Sequence, residues 1–442
     1  MYRARAKRLL IQAAIFACTS IALVRAQTPP STQQGGPTID LKDALERARR
    51  NSPQVEAAAL DVDLARQERH LAKTAFYPAL DYSTQYLYTQ GNGTPSGVWV
   101  PNDGVHVYAS HASVHQELYS PGRMSEYRRS VASEALAFAK RDIASQGIAA
   151  TLFQAYYALA IWQRHLANAR LSLEEARHFV TITEALERGG EAAHADVVKA
   201  QLTLRQRERD TRESGLAIEK ARIALAVLIF PDYRTDFSIV DDLDSLGTLP
   251  LLDQLLASAG EVNPDLRAAR QTLRQEEFGV SIARSAYLPS LSFDYFYGIN
   301  ANQFARRDEE GHNLLGSVAQ ATLSIPIFNW GATASRIRTA DLKRRQAQLD
   351  LTRVQRELDS SLRSSYVEAQ SALAQLSSLK QSLDLSTESL RLTNLRYEAG
   401  EATVFEVVDA QSTLAQARNA YDDGLSRYRL SLANLQILTG DY

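Results

Sequence analysis

The chain has 442 residues with 49 basic and 51 acidic side chains and a formal charge of -2, a balance that excludes the bulk electrostatic footprint of a nucleic-acid binder. Its one cysteine, Cys18, excludes a disulfide framework. No window after residue 26 approaches about 18 consecutive apolar residues, which excludes a membrane-spanning helix.

Residues 1–26 read as a secretory signal peptide: Arg3, Arg5, Lys7 and Arg8 precede an apolar run from Leu9 to Val24, and small Ala26 closes it. That run is shorter than the roughly 20 residues of a spanning helix. Ile15-Phe16-Ala17-Cys18 leaves a second reading open, a lipidated N-terminus at Cys18, with bulky Phe16 out of pattern. Residues 27–39, rich in Pro, Gly and Gln, read as an N-terminal linker. An exported chain without a helical anchor is either periplasmic or a β-barrel.

From residue 40 the chain is written twice. Pro53 pairs with Pro264, Pro78 with Pro289, Gly122 with Gly331, Gly190 with Gly400 and Gln201 with Gln411, at a constant offset of about 210 residues. That is far beyond the ~20 to 50 residues of solenoid repeats, so a half has been duplicated. The first copy spans 40–230, a connector spans 231–249, and the second copy spans 250–442.

In the first copy, short helices are predicted over Asp40 to Asn51 and Pro53 to Phe76, the proline sitting at a first-turn position and Pro78 stopping the second helix. A strand of period two follows at about 79–90: Leu80, Tyr82, Tyr86 and Tyr88 share one face, Asp81, Ser83 and Gln85 the other. Its partner runs at about 105–118, beyond a Gly/Asn/Pro/Ser loop. The second copy repeats the pattern at about 290–301, with Leu291, Phe293, Tyr295, Tyr297 and Ile299 alternating with polar residues, and at about 314–328. Apolar-out, polar-in alternation over strands of this length is the signature of a membrane strand, although a soluble sandwich strand shares it. Four strands cannot close a membrane barrel, since the smallest have about eight, so association of chains is required.

A long helix is predicted over 122–188, with Gly147 its one interior glycine, and a return helix over 191–230. In the second copy the long helix spans 331–398 and the return helix 401–438. At ~1.5 Å per residue each long helix is on the order of 100 Å. Leu362, Tyr366, Ala369, Leu373, Leu376, Leu379 and Leu383 step by three and four, as a coiled-coil seam does. Glycines at 189, 190 and 400 suit left-handed turns at the hairpin tips.

The duplicated halves, two strands per half and the segments Leu395-Arg396-Tyr397-Glu398-Ala399-Gly400-Glu401-Ala402-Thr403 and Val407-Val408-Asp409-Ala410-Gln411-Ser412-Thr413-Leu414 resemble the TolC family of outer-membrane efflux proteins. The resemblance covers essentially the whole mature chain. It implies a mainly α fold with a membrane β-barrel contribution: long antiparallel α-helical hairpins plus four β-strands per protomer, with a homotrimer forming a 12-stranded β-barrel and a 12-helix periplasmic tunnel. The implied function is an exit duct in the outer membrane of a Gram-negative bacterium. It would pass small molecules from an inner-membrane pump and a periplasmic adaptor protein to the exterior, with outer-membrane lipid around the strands.

The resemblance also assigns residues. Glu406 and Asp409 match the acidic constricting positions, Tyr397 the gate tyrosine, and Asp196 its acidic partner on the neighbouring hairpin. The turns at Gly189, Gly190, Gly400 and Glu401 match adaptor-contacting tips. Ala402 stands where the best-known member has a gate arginine, leaving Glu401 and Arg396 as the nearby charged residues able to replace it. By charge alone, three-fold symmetry would gather six carboxylates from Glu406 and Asp409 near one axis and favour cations.

His106, His111 and His115 do not read as a metal site, because His106 has opposite parity and the other two lie ~13 Å apart along a strand. Asp241, Asp242 and Asp244 read as a capped loop rather than a cation site. No His-Glu-x-x-His, phosphate-binding glycine loop or nucleophile elbow occurs, so neither catalysis nor a cofactor or metal is expected. The competing reading is a periplasmic coiled-coil scaffold or adaptor without a pore. It would share the signal peptide and helices but has no need of tyrosine-rich strands in both halves.

Overall fold

A computed structural model describes residues 36–88, 106–232 and 236–440. The proposed signal peptide, Cys18 and the loop between the first two strands lie outside the described residues.

The element order repeats itself. The first half contains α1 (Leu41–Asn51), α2 (Pro53–Thr74), β2 (Ala79–Tyr88), β3 (His106–Tyr119), α3 (Pro121–Gly189) and α4 (His194–Ile229). The second contains α5 (Leu252–Val262), α6 (Pro264–Ser285), β5 (Ser290–Ala301), β6 (Leu315–Ser324), α7 (Ala332–Glu398) and α8 (Val404–Thr439). Short strands β1 (Thr38–Ile39) and β4 (Ser238–Ile239), in segments read from sequence as linker and connector, pair in parallel. Helices at matching places have 11, 22, 69 and 36 residues in the first half and 11, 22, 67 and 36 in the second.

The caps explain where one helix hands over to the next. Ser52 and Asn263 are the N-caps of α2 and α6, each followed by proline, and their side chains accept from Val55 N and Leu266 N at 3.4 and 3.1 Å. Asn51, next to the first cap, donates from Nδ2 to Ile229 O at 2.7 Å, and the second cap, Asn263, itself donates from Nδ2 to Leu438 O at 3.2 Å. The start of α2 is thus tied to the end of α4, and the start of α6 to the end of α8. Amide side chains satisfy carbonyls that a helix terminus leaves open. Helix α3 or α7 runs past each junction, accompanied by α2 or α6 toward the strands and by α4 or α8 toward the tips.

The four strands form one antiparallel sheet in the order β2-β3-β5-β6, leaving β2 and β6 as edges. The register places Tyr82 opposite Ala112, Ala112 opposite Tyr297, and Tyr297 opposite Ser317. The tyrosine-rich faces therefore merge into one sheet face, and Ser83, His111 and Gly298 mark the other. Strand β6 stops at Ser324, short of the expected 328, because Pro326 has no N–H to continue the ladder.

The main core lies at mid-height, where Leu152, Tyr156, Leu159 and Ala160 of α3 meet Leu225, Leu243, Leu425 and Tyr428. The predicted α7 seam needs one correction. Leu362, Ala369 and Leu376 are buried, but Ala372 fills the step between the last two while Leu373 is 39% exposed. Gly424 of α8 faces the same stretch of α7, and a Cβ on it would stand 2.7 Å from Leu379 Cδ1.

Candidate functional site

Both hairpin tips are built by the same backbone motif. Gly190 and Gly400 have φ of 80° and 75°, a left-handed conformation that glycine adopts without Cβ strain. Gly190 N donates to Glu187 O at 2.9 Å and Glu191 N to Leu186 O at 2.9 Å; Gly400 N donates to Tyr397 O at 3.0 Å and Glu401 N to Arg396 O at 2.7 Å. These bonds, spanning three and five residues, close a Schellman C-cap at each tip. Gly189 is the last helical residue of α3.

Helix α8 then restarts through a capping box. Thr403 N donates to Glu406 Oε1 at 3.2 Å, and Glu406 N donates to Thr403 Oγ1 at 3.4 Å. Arg396 crosses the turn, donating from Nη1 to Glu406 Oε2 at 3.3 Å and from Nη2 to Glu401 O at 3.0 Å. Of the two charged candidates beside Ala402, Arg396 is the one that pairs. Asp409, one turn further on, is exposed.

Tyr397 sits inside the tip. It is 6% exposed and packs with Phe179 and Val180 of α3, Ala200 of α4, and Val404 and Val407 of α8. Its ring lies 5.1 Å from that of Phe179, and its hydroxyl meets Thr183 Oγ1 at 3.4 Å. Asp196 is turned elsewhere, accepting from Ala193 N at 3.3 Å as an α4 cap. The structure thus brings Tyr397 to Thr183 and Phe179, not to Asp196. Thr183 and Phe179 were missed in the sequence, where they read as ordinary helix residues 214 and more positions away from Tyr397. Phe405 is 68% exposed, with Lys199 Nζ 5.3 Å from its ring centroid.

At mid-height, Arg164 of α3 binds Asp241 at 2.6 Å, Asp244 at 2.7 Å and Asp422 of α8 at 3.4 Å. Asp241 also caps its own loop through Leu243 N at 3.1 Å. The acidic run therefore anchors the connector to the helical wall. Hydrogen bonding from Arg164 holds Asp244 below the usual carboxylate range. Burial pushes the Tyr157 hydroxyl up to about 12.

On the sheet's polar face, His115 Nδ1 lies 2.6 Å from Asp294 and His111 Nε2 3.2 Å from Ser83 Oγ. The two histidines have separate partners and do not converge. A group not read from the sequence, Asp308, Glu310 and His312, lies in the β5–β6 loop, where Asp308 already accepts from His312 N at 2.6 Å. Among the described residues no helix is long and apolar enough to cross a membrane.

An open sheet with one apolar face, set at the end of helices some 100 Å long that close in capped turns, defines an outer-membrane channel subunit with a periplasmic extension. Residues 44–229 and again 255–441 match the family model described as outer membrane efflux protein, and the chain belongs to that family. It is similar to alkaline protease secretion protein AprF of Pseudomonas aeruginosa, at 23% identity over 417 residues covering 91% of this chain and 84% of the relative. Pyoverdine export outer membrane protein OpmQ of the same species is 24% identical over 420 residues, covering 92% and 85%. The fold is similar to the crystal structure of the Campylobacter jejuni CmeC outer membrane channel, with a TM-score of 0.78 at 18% identity over 91% of this chain and 85% of that one. The protein is an outer-membrane efflux channel, and the reading as a periplasmic scaffold without a pore falls away.

Proposed function

We propose that three copies of this chain assemble into one duct, a twelve-stranded barrel continued by a twelve-helix tunnel, and that the duct serves a tripartite export system. The observation that carries this reading is the four-stranded sheet with both edges, β2 and β6, unpaired. Open edges do not survive in a membrane, because each unpaired backbone group there costs several kcal/mol. Exposed Leu60, Leu64 and Leu71 on α2 and Leu202 and Val227 on α4 supply apolar surface for neighbouring copies.

The α3–α4 and α7–α8 tips would form the narrow periplasmic end. Gly189, Gly190, Gly400 and Glu401 would present it to a periplasmic adaptor, which joins the duct to an inner-membrane pump. Tyr397, Asp196, Glu406 and Asp409 would line or brace the gate. The channel performs no chemistry of its own in this reading. Its cargo follows the pump, since relatives of comparable similarity are named for protease secretion and for pyoverdine export.

The test is single-channel recording in planar bilayers of protein extracted from the outer membrane, beside a mass measurement of the detergent complex. Small cation-selective steps from a particle of three chains, with selectivity lost in Glu406→Gln/Asp409→Asn, support the duct and its gate. A monomer without conductance overturns both.

A further inference from the structure

The two acidic residues at the second tip are not equivalent. Both carboxylate oxygens of Glu406 are engaged: Oε1 accepts from Thr403 N and Oγ1, each at 3.2 Å, and Oε2 accepts from Arg396 at 3.3 Å. The positive end of α8 faces the same carboxylate, since Glu406 lies in the first turn of that helix. Asp409 has none of this. Among the described residues no hydrogen bond or ion pair reaches it, and its side chain is exposed.

The lysine at this tip is engaged elsewhere. Lys199 of α4 stands over the Phe405 ring. The first hairpin has no counterpart of the clasp: Leu186 occupies the place corresponding to Arg396, and Asp196 caps Ala193 N without an arginine. The pair that does cross the first turn is His194 Nδ1 with Glu187 Oε1 at 2.7 Å, so the arginine–carboxylate clasp is specific to the α7–α8 turn.

We propose that Arg396 cancels the charge of Glu406, so that Asp409 alone sets the preference of the constriction for hydrated cations. The inference rests on the reading of this turn as the narrow end of the channel. It replaces the expectation of six uncompensated carboxylates by three. An unpaired carboxylate concentrates cations near itself, whereas a carboxylate–guanidinium pair has little net field beyond a few ångströms.

The experiment records reversal potentials in a KCl gradient and Mg²⁺ block of single channels in planar bilayers. The expected result for Asp409→Asn is a potassium-to-chloride permeability ratio close to one. Arg396→Gln should uncover Glu406, raising that ratio several-fold and lowering the half-blocking Mg²⁺ concentration by roughly tenfold. Arg396→Lys, which keeps the charge, should resemble the wild type. Arg396→Gln/Glu406→Gln should lose the added block, and this pair keeps the test open where the single glutamine variant gives no channels. If Asp409→Asn changes selectivity but Arg396→Gln moves neither readout, or if the double variant keeps the tight block, the compensation is wrong while the gate stands. If Asp409→Asn itself changes nothing, the constriction lies elsewhere and the gate reading fails with the inference.

Discussion

At Tyr397 the ring and the hydroxyl have separate partners: Phe179 and the valines hold the ring, and Thr183 meets the hydroxyl. Deleting a buried aromatic costs about 3–5 kcal/mol, whereas losing one neutral hydrogen bond costs about 1 kcal/mol. Tyr397→Ala is therefore expected to separate the two tips and increase conductance, and Tyr397→Phe to behave nearly as wild type, as single-channel recording would check. Arg164 gives a stability counterpart. Its three carboxylates include Asp422, whose side chain is only 12% exposed. Arg164→Met leaves that charge unpaired, and a loss of about 3 kcal/mol is expected in thermal melting of the detergent-solubilised protein. Asp244 has a depressed folded pKa, so its contribution is present above the unfolded value of about 3.9 and is lost as pH falls through the folded one. Acidification below pH ~4 should then lower the melting temperature less steeply in Asp244→Asn than in wild type.

The helices owe their length to composition and their pairing to small residues. Helix α7 contains no glycine or proline over 67 residues, so nothing in its sequence breaks it. Its partner α8 carries Gly424, buried against Leu376 and Leu379. Alanine there meets the ends of two flexible leucines, Leu379 at 2.7 Å and Leu376 at 3.2 Å, and gains about 1 kcal/mol of helix propensity, so Gly424→Ala is expected to be nearly neutral. Gly424→Leu overfills the contact, and a loss of about 1–3 kcal/mol is expected by the same melting assay. The seam itself shows what periodicity can decide. A run of leucines at three- and four-residue steps marks the face of α7, yet between Ala369 and Leu376 two residues compete for the inward place. Proximity to α8 selects Ala372 over the more hydrophobic Leu373.

For the whole molecule, the open edges carry the prediction. The natural sequence has one cysteine, at position 18, so introduced cysteines report cleanly. Ser83 on β2 and Gln320 on β6 lie on the polar face of the sheet, at opposite edges. A Ser83→Cys/Gln320→Cys chain treated with a short bifunctional thiol reagent should give a ladder of species ending at three chains. A ladder ending elsewhere would refute the trimer.

The sequence alone determined the long helices, the strands and the turns between them, because these follow from local signals: proline and glycine punctuation, a period of two, and steps of three and four. It also placed Glu406, Asp409 and Tyr397 at a hairpin tip, through a resemblance carried by the adjoining turn. The pairing of Thr38–Ile39 with Ser238–Ile239 was not legible, since two residues are too few to show a period. The partners of the tip residues were not legible either. Arg396 reaches Glu406 across a turn, and Tyr397 reaches Thr183 across two hairpins. Which charge is cancelled and which remains free depends on distances of about 3 Å between side chains whose separation along the chain carries no signal, and only the tertiary structure fixes those distances.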